Sequence, residues 1–254
     1  MVNVIIVTQA RVGSTRLPSK ILKEIGGRSL LQIHLERLKK SRYGDNLVVA
    51  TTFEDGVDEI IKIADSVQVS YYQGDTDDVL GRFYNAVKDR NPDYIVRVTS
   101  DCPLIDPVLL DEVIQLAINQ NLDYTTNTLV EAYPDGQDVE VVKWTALKHA
   151  WKETTLKSDR EHVTPYVREN SSFFGKNLFT SKNYDSSVNH NKVRMTVDEI
   201  EDFDAIKTLV DNLGTDKNWK VYTDFILNNP DLFFNQKILR NEGSLISTNI
   251  DKIK

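Results

Sequence analysis

A short apolar run, Val4 to Val7, leads straight into a loop, Thr8 to Leu22 (TQARVGSTRLPSKIL), that carries three long cations in ten residues: Arg11, Arg16 and Lys20. The apolar run reads as a buried first strand. Gly13, Ser14 and Thr15 between the cations are small enough for backbone amides to approach a ligand, and Pro18 fixes the exit of the loop. A strand that feeds a small, cationic loop suits a polyphosphate, whose spread charge needs several donors at once. The competing reading is a solvated basic loop on an acidic protein.

The rest of the chain repeats the strand-and-helix alternation. Arg28 to Arg42 has apolar residues at helical spacing, Asn46 to Thr51 reads as a second buried strand, Asp55 caps a helix to about Asp65, and Val67 to Tyr72 is a third strand. Gly74 to Tyr84 opens a helix with an acidic first turn. Tyr94 to Thr99 is a fourth strand, and Asp106-Pro107 reads as a cap and first residue of the helix to about Asn119. The rhythm predicts an α/β fold, a largely parallel sheet with helices on both faces and ligands at the carboxyl ends of the strands. After Asp123 the pattern changes. Tyr124 to Thr128 reads as a strand, Asp138 to Val142 alternates like an exposed or antiparallel strand, Thr145 to Glu153 is helical, and Asp159 to Asn170 is helical or turn-like around Pro165. Val193 to Val197 is a late strand, followed by helices to about Asp211 and over Trp219 to Asn228; the last residues, Ile246 to Lys254, are expected to fray. The whole is one domain of 254 residues, with about 129–191 inserted from the sheet on the acceptor side.

Two aspartates follow strands. Asp101 stands just past the fourth strand in a turn stiffened by prolines, which places it either as a Mg²⁺ ligand or as a turn residue. Asp198 ends the late strand and is the partner Asp101 would need. Arg194, two residues inside that strand, either faces phosphates or pairs with a carboxylate. Asp75, Asp77 and Asp78 serve capping and solubility, or line a pocket. His162 is a packing residue or, with Glu161, an acceptor-binding one. The single cysteine, Cys102, excludes a disulfide framework and a cysteine-rich zinc site. A net charge of −7 argues against nucleic-acid binding, and no apolar run approaches a membrane span. The chain opens on a strand without a leader pattern, so a cytoplasmic protein is expected.

The loop pattern ARxGSxRLPxK resembles the signature loop of the CMP-sugar cytidylyltransferases, which include CMP-Kdo and CMP-sialate synthetases. It lacks the Gly-Lys-Ser/Thr ending of a Walker loop. GDxxDVLxRFY, PDGQDVEVV, REHVTPYV and the tail NQKILRNEGS are similar to segments of the subgroup typified by spore-coat polysaccharide biosynthesis protein F. CMP-Kdo synthetases carry a different sequence in place of the first of these.

The resemblance implies a Rossmann-like, nucleotide-diphospho-sugar-transferase (GT-A-like) sheet with an inserted dimerisation arm, and a homodimer. It implies a nucleotide site of Thr8, Gln9, Ala10, Arg11, Gly13, Ser14, Arg16 and Lys20 with Asp78, Arg82 and Ser100, and Mg²⁺ held by Asp101 and Asp198. Asp138, Glu140, Glu161 and His162 are the acceptor-side candidates. The reaction expected is transfer of CMP from CTP to an acid sugar or phosphorylated small-molecule acceptor, releasing pyrophosphate, for surface polysaccharide biosynthesis. Arg11, Arg16 and Lys20 hold the triphosphate and neutralise the leaving group. The rival class is a glycosyltransferase using a finished nucleotide sugar, which usually carries an Asp-x-Asp motif where this chain has Ser100-Asp101-Cys102-Pro103.

Overall fold

The computed structural model describes residues 2–14 and 16–240. The opening apolar run forms β1 (Val4–Gln9). A ribbon of β2 (Glu24–Ile25) and β3 (Arg28–Ser29) leads into α1 (Leu30–Leu38), whose cap is the Ser29 hydroxyl accepting from the Gln32 N–H. β4 (Leu47–Thr51) and α2 (Val57–Ser66) follow. The expected cap, Asp55, is one residue too early: Gly56, at φ 83°, holds that position. β5 (Ser70–Gln73) starts later than the expected Val67. Val67 and Val69 still donate to the carbonyls of Ile63 and Ala64, and Gln68 turns at φ 58°, so the chain is leaving α2 at that point.

α3 (Val79–Val87), β6 (Tyr94–Thr99) and α4 (Pro107–Asn119) lie close to their expected places. Asp106 caps α4 through the N–H groups of Val108 and Leu109. β7 (Tyr124–Thr126), β8 (Glu140–Lys143), α5 (Trp144–Glu153), α6 (Lys157–His162), α7 (Pro165–Glu169) and β9 (Ser181–Asn183) make the middle of the chain, and α8 (Ile200–Leu213) and α9 (Trp219–Asn228) close it. The expected fraying of Ile246 to Lys254, and the last four residues of the NQKILRNEGS resemblance, lie outside the described residues.

Among the described residues the main sheet has seven strands in the order β5-β4-β1-β6-β8-β7-β9. β8 alone runs against the others. The largely parallel α/β sheet read from the sequence is therefore the fold. Both faces of β1 are covered, which is why the run reads as continuously apolar. Val4 and Ile6 belong to one core cluster with Leu31 and Leu35 of α1, Ile60 of α2 and Leu110 of α4; Ile5 and Val7 belong to another with Leu80 and Phe83 of α3 and Leu147 of α5. β8, expected to be exposed or antiparallel, is antiparallel and buried between β6 and β7. The segment read as an insertion thus supplies an inner strand and lays α5 on the sheet, where Trp151 stacks on Tyr84 of α3 with ring centroids 3.9 Å apart.

The late strand is different from its expectation. Val193 to Val197 is buried, yet it joins no sheet and makes only an isolated bridge between Arg194 and Asp135. It is a strap across the carboxyl end of β6. The Val197 N–H donates to the Asp101 carbonyl at 2.8 Å and the Met195 N–H to that of Asp135 at 2.7 Å. Gly136, at φ 102°, is required here: a Cβ on it would lie 2.7 Å from the Met195 backbone carbon.

Candidate active site

β1 and β6 are paired neighbours in register, Gln9 opposite Thr99, so the loops that leave them open on the same side. Between these loops, the start of α3 and the end of α6 lies a cleft of about 810 Å³. Its β1 side is made by Gln9, Ala10, Arg11, Gly13, Ser14, Arg16 and Lys20, and its β6 side by Ser100 and Asp101. Thr8 lies beneath the lining. Its hydroxyl meets Nε2 of the buried His34 at 2.9 Å, and His34 Nδ1 meets the Cys102 carbonyl at 2.9 Å. A carbonyl only accepts, so Nδ1 carries the proton and Nε2 accepts from Thr8. His34 therefore ties the end of β1 to the turn after β6. Burial, assisted by nearby Arg37, pushes its pKa down to about 4.

The strap brings Asp198 to Asp101. Lys20 Nζ stands between them, 3.0 Å from Asp101 Oδ2 and 2.7 Å from Asp198 Oδ1. Burial alone would raise the Asp101 carboxyl; the Lys20 charge, together with hydrogen bonds from Thr99, Lys20 and Cys102, outweighs it and holds the group well below the usual carboxylate range. Burial would likewise lower Lys20, and the two aspartates raise it. Arg16 reaches Asp198 at 3.0 Å and Glu199 at 3.4 Å.

Arg194 resolves to the second of its two readings. It forks onto Asp202 with two contacts of 2.8 Å and also reaches Asp135 at 2.7 Å and Asp198 at 3.3 Å. Asp202 in turn accepts the N–H groups of Asp198 and Glu199 at 2.9 and 3.0 Å. Asp202 is a first-turn acid of α8, a place that sequence alone explains by the helix end, but its burial and its grip on Asp198 depend on the fold. His34 was missed for the same reason. It sits on the apolar face of α1, among leucines, with no motif to mark it.

The opposite wall is built from α3 and α6. Asp78 caps α3 through the Gly81 N–H and pairs with Arg160 of α6 at 3.0 Å. Arg82 is 2% exposed, donates to the Asp75 carbonyl at 2.8 Å and has no ion pair with a carboxylate among the described residues. Burial and the neighbouring Arg11 lower its pKa. Glu161 and His162 line the cleft from the end of α6, and burial depresses the His162 pKa.

Two acceptor-side candidates lie elsewhere. Asp138 does not line the cleft; it pairs with Arg240 at 2.5 Å. Glu140 lies behind His162, where its carboxylate accepts from Arg97 at 2.5 Å, Tyr124 at 2.6 Å and Thr164 at 2.5 Å. Their alternation could not reveal that Glu140 opens an inner strand, or that Asp138, two residues before it, meets Arg240 near the end of the described chain.

The donor chemistry at the Lys20 position suits a hard divalent cation. Two carboxylates converge on one positive charge, and Mg²⁺ commonly takes one or two protein carboxylates with phosphates and water. Among the described residues no cluster of three or more His, Cys, Asp or Glu side chains offers another place for a metal. No helix among them is long and apolar enough to cross a membrane.

Residues 4–237 match the cytidylyltransferase family model. An uncharacterized protein of Methanocaldococcus jannaschii is 40% identical over 199 residues, covering 78% of this chain and 79% of its own. Spore coat polysaccharide biosynthesis protein SpsF of Bacillus subtilis is 32% identical over 221 residues, covering 84% of this chain and 89% of its own. The solved structure of a cytidylyltransferase from Leptospira borgpetersenii superposes with a TM-score of 0.87 at 34% identity, over 94% of this chain and 100% of that one. With strand-end loops, cleft and sequence in agreement over nearly its whole length, the chain belongs to the cytidylyltransferase family and is a CTP-dependent nucleotidyltransferase.

Proposed function

We propose that the enzyme transfers CMP from CTP to an acid sugar or a phosphorylated small-molecule acceptor in polysaccharide biosynthesis, with Mg²⁺ held by Asp101 and Asp198. The observation that carries this reading is the convergence of both carboxylates on one cationic point at the mouth of the signature loop. The similarity to SpsF supports the polysaccharide context. The acceptor oxygen attacks the α-phosphorus in line, its bond to phosphorus forms as the bond to the bridging oxygen breaks, and pyrophosphate carries the electron pair away.

This chain's part is positioning and charge stabilisation. Arg11, Arg16 and Lys20 donate to the triphosphate and stabilise the leaving group. Backbone groups at Thr8 to Ala10 read the cytosine, and Asp78, Arg82 and Ser100 complete the nucleotide wall. Glu161 and His162 face the acceptor from α6; Glu140, which does not line the cleft, supports that side from behind through Thr164, whereas Asp138 is taken up by Arg240. Bound Mg²⁺ supplies neutralisation of phosphate charge and polarisation of the reacting oxygens. The working form in this proposal is a cytoplasmic homodimer, which light scattering of the purified protein checks.

Calorimetry with Mg²⁺ and each of CTP, UTP, GTP and ATP is the direct test. Selective CTP binding that Asp101→Asn weakens is expected. Equal binding of UTP would remove the cytosine-reading assignment, and an unaffected Asp101→Asn would remove the metal assignment.

A further inference from the structure

Lys20 is placed where it competes with the ion the site is built to hold. Its ammonium lies 3.0 Å from Asp101 and 2.7 Å from Asp198, the point at which a cation shared by these carboxylates would sit. This is no passing surface contact. The Lys20 side chain is 13% exposed, and its backbone is pinned in a tight turn: its N–H donates to the Leu17 carbonyl, and its own carbonyl accepts from Lys23. Asp198 is also neutralised by Arg16 at 3.0 Å and Arg194 at 3.3 Å. A divalent cation and an ammonium sharing the same oxygens repel each other strongly in so enclosed a place. Two carboxylates are, moreover, a thin ligand set for a metal without further oxygens.

A triphosphate changes both terms together. Its oxygens accept from Lys20 and Arg16, which frees the carboxylates, and they supply the ligands that the protein lacks. We propose that Lys20 plugs the metal position in the nucleotide-free enzyme and is drawn off by the triphosphate, so that a divalent cation binds only with or after the nucleotide. This rests on the reading of Asp101 and Asp198 given above. Because the coupling is reciprocal, the ion tightens CTP by the same factor that CTP tightens the ion.

Electron paramagnetic resonance of free Mn²⁺, titrated with the full-length protein, tests it without turnover. Wild type without nucleotide should leave Mn²⁺ free, and wild type with CTP should take it up beyond a CTP-only control. Lys20→Met should bind Mn²⁺ without nucleotide at least about fivefold more tightly than wild type, the lower end of ordinary coupling between sites. Adding Asp101→Asn to Lys20→Met should abolish that gain. If Lys20→Met gains nothing over wild type, the plug is overturned, whether or not wild type binds the ion.

The single Asp101→Asn variant with CTP then separates the two claims. Loss of its CTP-dependent Mn²⁺ uptake leaves the carboxylate site standing without a plug. Retention overturns the site and the plug together. Lys20→Gln, neutral and still hydrogen-bonding, replaces Lys20→Met if melting shows the latter to be unfolded. Should neither variant fold, wild-type uptake of Mn²⁺ that is indifferent to CTP overturns the plug, and CTP-dependent uptake supports it.

Discussion

Asp202 never touches the cleft, yet the position of Asp198 depends on it. Its side chain is wholly buried, it holds two backbone N–H groups of the strap's end, and it forks onto Arg194. Residues that orient a ligand in this way typically change metal affinity or activity by about 10- to 100-fold when altered. Asp202→Asn is therefore expected to lower kcat within that range and to weaken CTP-dependent Mn²⁺ binding in parallel. It should also cost a few kcal/mol of stability, because Arg194 loses a buried partner. Steady-state kinetics beside a denaturant melt check this; a folded variant of normal kcat would show that Asp198 needs no such support. Asp101, Asp198 and Lys20 stood out in the sequence because Asp101 follows a strand, Asp198 ends an apolar alternation that reads as one, and Lys20 lies in a patterned loop. Asp202 and His34 were not, because an acid in a first turn and a histidine on an apolar face look ordinary until their partners, far along the chain, are folded against them.

Among the elements, α4 was the easiest to read and the strap the hardest. Asp106-Pro107 states a helix start in two residues, and the helix begins there. What the pair does not state is that the same carboxylate serves a second helix: Asp106 Oδ2 accepts from the N–H of Trp219, the first residue of α9, at 2.8 Å. Losing a cap costs about 1 kcal/mol, and a buried N–H left unsatisfied costs about 1–3 kcal/mol more. Asp106→Ala should therefore destabilise the protein by about 2–4 kcal/mol. That should lower Tm by roughly 4–16 °C for a chain of this size. CTP binding should stay unchanged, since Asp106 does not line the cleft. A thermal melt with and without CTP separates the two, and a Tm within a degree of wild type would sink the shared cap. The strap was misread because Val193 to Val197 has the apolar alternation of a strand. Its hydrogen bonds go to the turns around Asp101 and Asp135 rather than to a ladder, and no local pattern distinguishes those destinations.

At the scale of the whole molecule, the site depends on the ends of β1 and β6 staying in register where the strands stop pairing. The His34 imidazole bridges that gap, with one nitrogen on Thr8 and the other on the Cys102 carbonyl beside Asp101. Protonation would keep both contacts possible, since the Thr8 hydroxyl can turn to accept, but it would leave a charge in a wholly buried place. Burial holds the folded pKa at about 4 against an ordinary value of 6.5. Between those values the unfolded chain takes up a proton that the folded one refuses, so stability rises with pH across this window and is unaffected by His34 above it. The full difference is about 3 kcal/mol. His34→Gln provides the comparison, because an amide N–H can donate to Cys102 and the amide oxygen can accept from Thr8 without titrating. Unfolding free energies measured from pH 7 down to pH 4 should show wild type losing about 3 kcal/mol more than His34→Gln, while the carboxylates common to both cancel. Parallel curves for the two proteins would mean that His34 takes up its proton at the same pH in the fold as in the unfolded chain, and that burial does not hold the tie between the two strands neutral.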